Sequence, residues 1–287
     1  MQAVSLHIGL NHVSPIHYGT DQPLKNPVND AKAMEALASA AGFGSQTLFD
    51  NEANVAAVAN AVNRTSTTLV AGDIFLLTYA GHGAQMFDRT KDEPDSLDET
   101  WCLFDRMILD DELDGLYTSF AAGVRIVILS DSCYSGTIAR PLTADLVDGL
   151  KSQPVYPDPV GAGPDLLLTD PYRFRSMDRS IARSTYLTNQ PRYDEAKALA
   201  AATRNVDLNC SLLLLAACQD NQLASDGDTN GYFTSWLLHL WQQGQFQGSY
   251  RDLFNRLDAA MPRQQKPNLL LRGRDTDAFS DQRPFSM

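Results

Sequence analysis

One stretch limits what this chain can fold into more than any other: the run of apolar or small residues 126–130, which leads into Asp131, Ser132 and Cys133. The run is rich in β-branched residues, as is typical of a strand buried on both faces of a parallel sheet. Side chains alternate along a strand, so Asp131 and Cys133 are predicted to point to one side and Ser132 to the other. Because open α/β sheets bind ligands beyond the carboxyl ends of their strands, we interpret Cys133 as a nucleophile.

A nucleophilic cysteine needs a base, and a second predicted strand supplies one. This strand starts near Asp73 and ends in His82, which stands between Gly81 and Gly83 and lies 51 residues before Cys133. If both strands end at the same edge of the sheet, imidazole and thiol become neighbours. The backbone N–H of Gly83, together with that of Cys133, would be available to a developing oxyanion.

These two segments resemble the catalytic motifs of a known family. Tyr-Ala-Gly-His-Gly around His82 and Ser-Asp-Ser-Cys-Tyr-Ser-Gly around Cys133 are similar to those of the caspase-like cysteine peptidases of family C14, and above all to metacaspases and their bacterial relatives, the orthocaspases. The resemblance implies an α/β, caspase-like (caspase-hemoglobinase) fold, with a mostly parallel central sheet of about six strands flanked by helices on both faces. It also implies a thiol endopeptidase that hydrolyses peptide bonds through a thioester.

Length and composition suit one large domain over residues 1–287. We predict a large-subunit-like part over 1–139, an irregular insertion or linker over 140–206 and a small-subunit-like part over 207–287. The chain is 44% hydrophobic and 20% charged, which is typical of a globular protein. No transmembrane helix or signal peptide is visible, so we expect a cytoplasmic location.

The formal net charge of −12 argues against nucleic acid or an anionic membrane as partners. We expect a protein or peptide substrate instead, and a monomer or weak dimer. The chemistry needs no cofactor. The four cysteines show no metal-ligand spacing and are expected to be free thiols.

Three acidic residues are candidates for the substrate pocket. The resemblance assigns Asp30 to the pocket for the residue before the cut bond, although a helix cap would explain Asp30 equally well. Asp131 beside the nucleophile would add negative charge. Asp226 would add more, and it lies in a Ser-Asp pair that resembles one in the small-subunit half of metacaspases. An anionic pocket favours Arg or Lys before the cut and repels Asp.

Residues 88–114 hold eleven acidic residues against three basic ones. A solvated loop and a calcium site are both consistent with this excess. The resemblance makes Asp110 and Asp111 candidate Ca²⁺ ligands, since metacaspases draw part of their calcium site from a similar acidic pair. The same two carboxylates would also suit the start of a helix without any metal.

The predicted insertion contains several arginines, including Arg173, Arg175 and Arg179. In caspase-like enzymes the corresponding linker is often cut by the enzyme itself. The alternative is a covering loop with surface arginines, and this is the interpretation that we favour from sequence.

Two other functions stay open at this stage. A catalytically silent caspase-like interaction or scaffold protein would keep the fold without the activity. An esterase or amidase acting on a small substrate could use the same cysteine and histidine. Reactivity of Cys133 with thiol reagents separates enzyme from scaffold, because an inert buried cysteine reacts slowly.

Overall fold

The fold is built on one six-stranded sheet with strand order β2-β1-β3-β7-β8-β9. A computed structural model describes residues 1–87, 97–133, 174–201, 206–218 and 222–287. Five strands run parallel, and only β9 at one edge is antiparallel to its neighbour β8. The predicted mostly parallel sheet of about six strands is confirmed.

The strands of the described residues are β1 (Ala3–Gly9), β2 (Gly44–Phe49), β3 (Ile74–Ala80), β4 (Gly83–Phe87), β5 (Leu97–Cys102), β6 (Met107–Leu109), β7 (Arg125–Asp131), β8 (Ser211–Ala216) and β9 (Asn268–Gly273). The helices are α1 (Pro15–Tyr18), α2 (Pro27–Ala40), α3 (Val55–Thr68), α4 (Asp110–Tyr117), α5 (Arg179–Thr188), α6 (Gln190–Ala200), α7 (Tyr232–Trp241), α8 (Tyr250–Ala260) and α9 (Thr276–Ser280).

The central strands are buried on both faces because alternate residues enter two different cores. Leu76 and Val127 face one core, which α2, α7, α8 and α9 complete. Phe75 and Ile126 face the other core, which α3 and α4 complete. This explains why β3 and β7 read as continuous apolar runs instead of alternating ones. The helices therefore cover both faces of the sheet.

A second, three-stranded antiparallel sheet has the order β4-β5-β6 and begins directly after His82. Gly83 is its first residue and pairs with Trp101. Trp101 stacks on Tyr79 of the central sheet, with ring centroids 4.4 Å apart. The small sheet is thereby attached to the end of β3, where the predicted histidine lies.

Two helices lie within residues 140–206, the predicted irregular insertion or linker. Residues 179–200 form α5 and α6, whereas the sequence indicated a helix only over 195–203. Asp178 caps α5 by accepting hydrogen bonds from the N–H groups of Ser180 and Ile181. Both helices bury one face in a third apolar cluster that includes Val13, Met107, Tyr186 and Tyr193. Charged residues on the outer face of α5 obscured its helical pattern.

Within the described residues, no helix is long and apolar enough to span a membrane.

Candidate active site

The register of the central sheet brings the two predicted catalytic residues to one edge. Ala80 at the end of β3 pairs with Asp131 at the end of β7. His82 lies two residues after Ala80, and Cys133 lies two residues after Asp131, so both residues lie just beyond the same end of the sheet. His82 is 5% exposed and Cys133 is fully buried. The site is therefore closed to solvent in this form of the chain.

Two backbone amides next to these side chains bind a single oxygen atom. The N–H of Gly83 and the N–H of Cys133 both donate to the carbonyl oxygen of Arg175, at 2.9 and 3.2 Å. A Cβ at position 83 would come within 1.8 Å of the Cys133 carbonyl oxygen. Only glycine allows the two backbones to approach this closely, and their convergent amides have the geometry of an oxyanion hole.

The imidazole of His82 is oriented by a backbone oxygen. Its Nε2 lies 3.0 Å from the carbonyl oxygen of Gln22, while Nδ1 has no hydrogen-bond partner among the described residues. Gln22 has a φ of 40°, in the left-handed region that non-glycine residues rarely adopt. This third group could not be found from sequence, because it is a carbonyl of a loop residue whose side chain takes no part.

Burial lowers the pKa of His82 from its ordinary value of 6.5 to about 4, although the Gln22 carbonyl and the charge of Asp226 act in the opposite direction. The imidazole is therefore neutral at physiological pH in this closed form. A neutral ring with one nitrogen bound to a carbonyl can accept a proton at the other.

Ala224 forms hydrogen bonds to both Cys133 and Arg175, the residue whose carbonyl oxygen accepts from the amides of Gly83 and Cys133. Its N–H donates to Sγ of Cys133 at 3.0 Å. Its carbonyl accepts a hydrogen bond from the N–H of Arg175 at 2.9 Å. The backbone of Arg175 is thus held beside the thiol from two directions.

The side chain of Arg175 enters a fully buried acidic pocket, where three carboxylates surround its guanidinium. Nη1 lies 3.1 Å from Oδ2 of Asp131 and also donates to the Asp131 carbonyl at 3.0 Å. Nη2 lies 2.8 Å from Oδ1 of Asp226 and forms an ion pair with Asp30. The structure therefore brings together all three acidic residues that the sequence suggested for the pocket.

Each carboxylate is also fixed by groups of the protein itself. Oδ1 of Asp30 accepts from the N–H of Gly231 and from the side chain of Asn230, both at 2.9 Å. Oδ2 of Asp131 accepts from the N–H and hydroxyl of Thr234 at 3.1 and 2.7 Å. Oδ2 of Asp226 accepts from the backbone N–H groups of Lys25 and Asn26 at 2.8 and 3.3 Å. The pocket is preorganised for a cation.

Gly231 forms one wall of the pocket. A Cβ there would lie 2.5 Å from Nη2 of Arg175 and 2.5 Å from Oδ2 of Asp131. Sequence reasoning did not assign Gly231 or Thr234 to the pocket. The pocket can admit a guanidinium because residue 231 has no side chain.

Burial raises the proton affinity of two of the pocket carboxylates. Burial raises the pKa of Asp30 to about 7, against the lowering effect of the Arg175 charge. Burial also raises the pKa of Asp131. Burial disfavours the charged guanidinium of Arg175, but the charges of Asp131, Asp30 and Asp226 outweigh it and raise the Arg175 pKa. The guanidinium stays charged, and the raised pKa values of Asp30 and Asp131 favour partial protonation, which offsets the excess of carboxylates over the one guanidinium.

Two interpretations made from sequence are corrected here. Arg175 is not a surface arginine, because its side chain is fully buried in the acidic pocket. Asp30 is not a helix cap, because α2 begins at Pro27 and the Asp30 carboxylate accepts from Gly231 and pairs with Arg175 instead. The Asp30 carboxylate therefore binds donors of the pocket instead of N–H groups at the start of α2.

The candidate calcium ligands lie elsewhere, at the first turn of α4. Asp110 accepts a hydrogen bond from the N–H of Asp111 at 2.9 Å, as expected of acidic residues at a helix start. Among the described residues, no group of three or more His, Cys, Asp or Glu could hold a metal ion. Residues 88–96 of the acidic stretch lie outside the described residues, so calcium binding stays a prediction and no catalytic step depends on it.

Comparison with known proteins agrees with this geometry. The family model for the caspase domain of the C14 peptidases (Peptidase_C14) matches residues 4–279. The chain therefore belongs to the caspase-domain family of peptidases, as the resemblance of its two motifs implied.

Individual relatives support the same assignment. The chain is similar to Metacaspase-1 of Candida albicans, with 26% identity over 263 residues that cover 83% of this chain and 56% of that protein. It is 31% identical to Metacaspase-4 of Arabidopsis thaliana over 157 residues, which cover 51% of this chain and 36% of the plant protein. The chain thus spans little more than half the length of the Candida albicans protein.

Solved structures match over almost the whole chain. Protein GSU0716 from Geobacter sulfurreducens has 39% identity and a TM-score of 0.83, with 100% of this chain and 99% of that chain covered. Caspase-1 from Spodoptera frugiperda has a TM-score of 0.51 at 10% identity, covering 95% and 86%. The second match shows the fold alone, and it confirms the predicted caspase-like fold.

Proposed function

We propose that this protein is a cysteine endopeptidase that cleaves protein or peptide substrates after arginine, with Cys133 as nucleophile and His82 as its acid–base partner. One observation carries the proposal. Arg175 of the chain itself places its guanidinium against three carboxylates, and its carbonyl oxygen accepts hydrogen bonds from the amides of Gly83 and Cys133. This is the arrangement that a substrate needs at the residue before the cut bond.

The mechanism follows from the groups around that carbonyl. The thiol of Cys133 gives its proton to His82 and the sulfur attacks the carbonyl carbon, while the amides of Gly83 and Cys133 stabilise the negative oxygen. His82 then protonates the leaving amine, and a thioester forms. Water activated by His82 hydrolyses the thioester. The carbonyl of Gln22 supports the imidazole as it gains positive charge.

The pocket is built for a forked cation. The two terminal nitrogens of the guanidinium contact different carboxylates, and one of them also binds a backbone carbonyl. A lysine ammonium is a point charge and cannot reach all of these acceptors at once. An aspartate side chain would add a fourth negative charge to the pocket. We therefore propose Arg as the preferred residue, Lys as a weaker one and Asp as excluded.

Three otherwise identical reporter peptides ending in Arg, Lys or Asp test this proposal. Losing one charge-assisted hydrogen bond costs about 1.5–3 kcal/mol, so kcat/KM for Lys should be roughly tenfold to hundredfold below that for Arg. The Asp peptide should not be cleaved. Equal rates for all three, or preference for Asp, would contradict the proposed pocket. Running each assay with calcium and with a chelator also tests whether the activity requires Ca²⁺.

The alternative is a catalytically silent caspase-like scaffold, for which the buried Cys133 is the observation in favour. A scaffold predicts that no peptide is cleaved in any condition and that Cys133 stays unreactive toward thiol reagents. Turnover that requires Cys133 would exclude it.

A further inference from the structure

The hydroxyl of Tyr79 lies against the backbone that forms the candidate oxyanion hole. Tyr79 belongs to β3, and its side chain is buried. Its hydroxyl donates a hydrogen bond to the carbonyl oxygen of His82 at 2.7 Å. The N–H of Cys102, at the end of β5, donates to the same oxygen at 2.9 Å. The carbonyl of His82 is thus held by two donors from two different strands.

Two carbonyl oxygens lie within reach of the Tyr79 hydroxyl. That of Cys102 is 3.2 Å away, against 2.7 Å for that of His82. A tyrosine hydroxyl has one proton to donate, and the shorter distance is the usual one for an O–H donor. The bond to His82 is therefore the principal one.

The peptide unit that begins with the His82 carbonyl ends with the N–H of Gly83. This peptide bond is trans. A trans peptide unit is planar, so its carbonyl oxygen and its N–H point in opposite directions and turn together. The N–H of Gly83 is one of the two amides that bind the carbonyl oxygen of Arg175. A group that fixes the direction of the His82 carbonyl therefore also fixes the direction of this N–H.

From these contacts we propose that Tyr79 is a positioning residue for the oxyanion hole, acting through the peptide unit of His82 and Gly83. The inference rests on the proposed peptidase function and adds to that reaction a residue that touches neither the substrate nor the reacting atoms. A preorganised donor stabilises a developing oxyanion because it needs no reorientation during the reaction. Hydrogen bonds in a chain also polarise one another, so a donor on the carbonyl makes the N–H of the same unit a stronger donor.

The neighbours of Tyr79 hold its own ring in place. The ring stacks on Trp101 with an interplanar angle of 6°. The indole N–H of Trp101 donates to Oγ of Ser130 in β7 at 3.1 Å. A Cβ at position 81 would come within 2.7 Å of the Tyr79 hydroxyl oxygen, so Gly81 leaves the room that this hydroxyl needs. The hydroxyl therefore has a fixed position beside the carbonyl that it binds.

Tyr79→Phe tests the proposal, because it removes the hydroxyl and keeps the ring that stacks on Trp101. The assay uses the Arg175→Ala chain, in which no guanidinium of the protein itself fills the pocket. Deleting an oxyanion donor outright costs about 10²–10³-fold in kcat. Here the donor stays but loses its support, so kcat for an arginyl peptide should fall roughly tenfold while KM stays within about twofold. A raised KM with unchanged kcat, or no change in either, would overturn the inference.

Tyr18 provides a matched control. Its hydroxyl is also buried and donates to a backbone carbonyl oxygen, that of Leu103, at 2.8 Å. The peptide unit of that carbonyl contributes no donor to the oxyanion hole. Tyr18→Phe in the Arg175→Ala chain should therefore lower the melting temperature about as much as Tyr79→Phe does, but it should leave kcat unchanged. Equal losses of kcat in the two variants would overturn the inference.

The amide resonance of Gly83 gives a readout that does not need turnover. His82 and Gly83 form the only His-Gly pair in the sequence, so ¹³C-carbonyl histidine combined with ¹⁵N-glycine marks this one peptide bond. In the otherwise wild-type chain, Tyr79→Phe should shift the Gly83 amide proton upfield, as weakening of a hydrogen bond does. Phenylalanine keeps the ring, so the ring-current shift is retained. A Gly83 signal that does not move in folded Tyr79→Phe would overturn the inference.

The outcomes also distinguish this inference from the proposed function. Turnover by Arg175→Ala that Tyr79→Phe does not reduce would leave the peptidase in place and overturn the role of Tyr79. Absence of turnover by Arg175→Ala, with a Gly83 signal that shifts in Tyr79→Phe as expected, would count against the peptidase. The positioning of the Gly83 N–H by Tyr79 would then still be supported.

Discussion

Replacement of Cys133 by alanine is expected to lower kcat/KM for an arginyl peptide by about 10⁴-fold or more, because removal of a covalent nucleophile eliminates the acyl-enzyme route. Binding of the peptide should persist in the double variant Cys133→Ala/Arg175→Ala, which removes the guanidinium that fills the pocket but keeps the three carboxylates and the amide of residue 133. The measurement is reporter release by Cys133→Ala and wild type at equal concentration, with the affinity of the double variant for the uncleaved peptide measured separately.

A second buried cysteine provides a matched control. Cys218 follows β8, the strand next to β7, and its Sγ lies 3.6 Å from the carbonyl oxygen of Ser132. It is as buried as Cys133 but donates to a different backbone group. Cys218→Ala should therefore keep peptidase activity within about threefold of wild type. Equal losses in both variants would mean that thiol burial, and not nucleophilic attack, explains the effect.

Replacement of Asp131 by asparagine is expected to reduce kcat/KM for the arginyl peptide by about 10²- to 4 × 10³-fold. Removing one partner of a buried charge pair costs about 3–5 kcal/mol, and each 1.4 kcal/mol is a factor of ten. Asparagine keeps the shape and can still accept from Thr234, so the loss reports the charge that faces the guanidinium. The measurement is kcat/KM for the Arg and Lys peptides.

The control for this variant is an aspartate whose ion pair is exposed. Asp277 pairs with Arg251 on the surface and is 91% exposed on its side chain. Exposed pairs contribute little, so Asp277→Asn should leave kcat/KM unchanged. If Asp131→Asn kept the wild-type preference for Arg, the acidic pocket would not determine specificity.

The sequence predicted the parts of the site that depend on strand ends. Two apolar runs ending in His82 and Cys133 were sufficient to place both residues at one sheet edge, because parallel strands in register end together. The alternation of side chains along β7 also placed Asp131 beside the nucleophile. These features follow from local periodicity and need no knowledge of distant contacts.

The remaining features of the site depend on contacts far apart in sequence. Asp30 and Arg175 are separated by 145 positions, and nothing in their local sequence distinguishes an arginine in a pocket from one on a surface. Gln22 acts through its carbonyl oxygen, which every residue type has. α5 was missed because its buried face is short and its outer face is charged, whereas a helix was predicted over the second half of α6. In each case, tertiary packing decided what local patterns left open.

The most direct test of the central claim is covalent labelling of Cys133 by a peptide ending in an arginine chloromethyl ketone. The experiment uses Arg175→Ala, which removes the guanidinium that fills the pocket, and it measures intact mass and the labelled residue. The account predicts one equivalent of thioether on Cys133, formed with loss of chloride, and no adduct from the matching aspartate reagent. Equal labelling by both reagents, or no labelling of Cys133 by the arginine reagent, would contradict it.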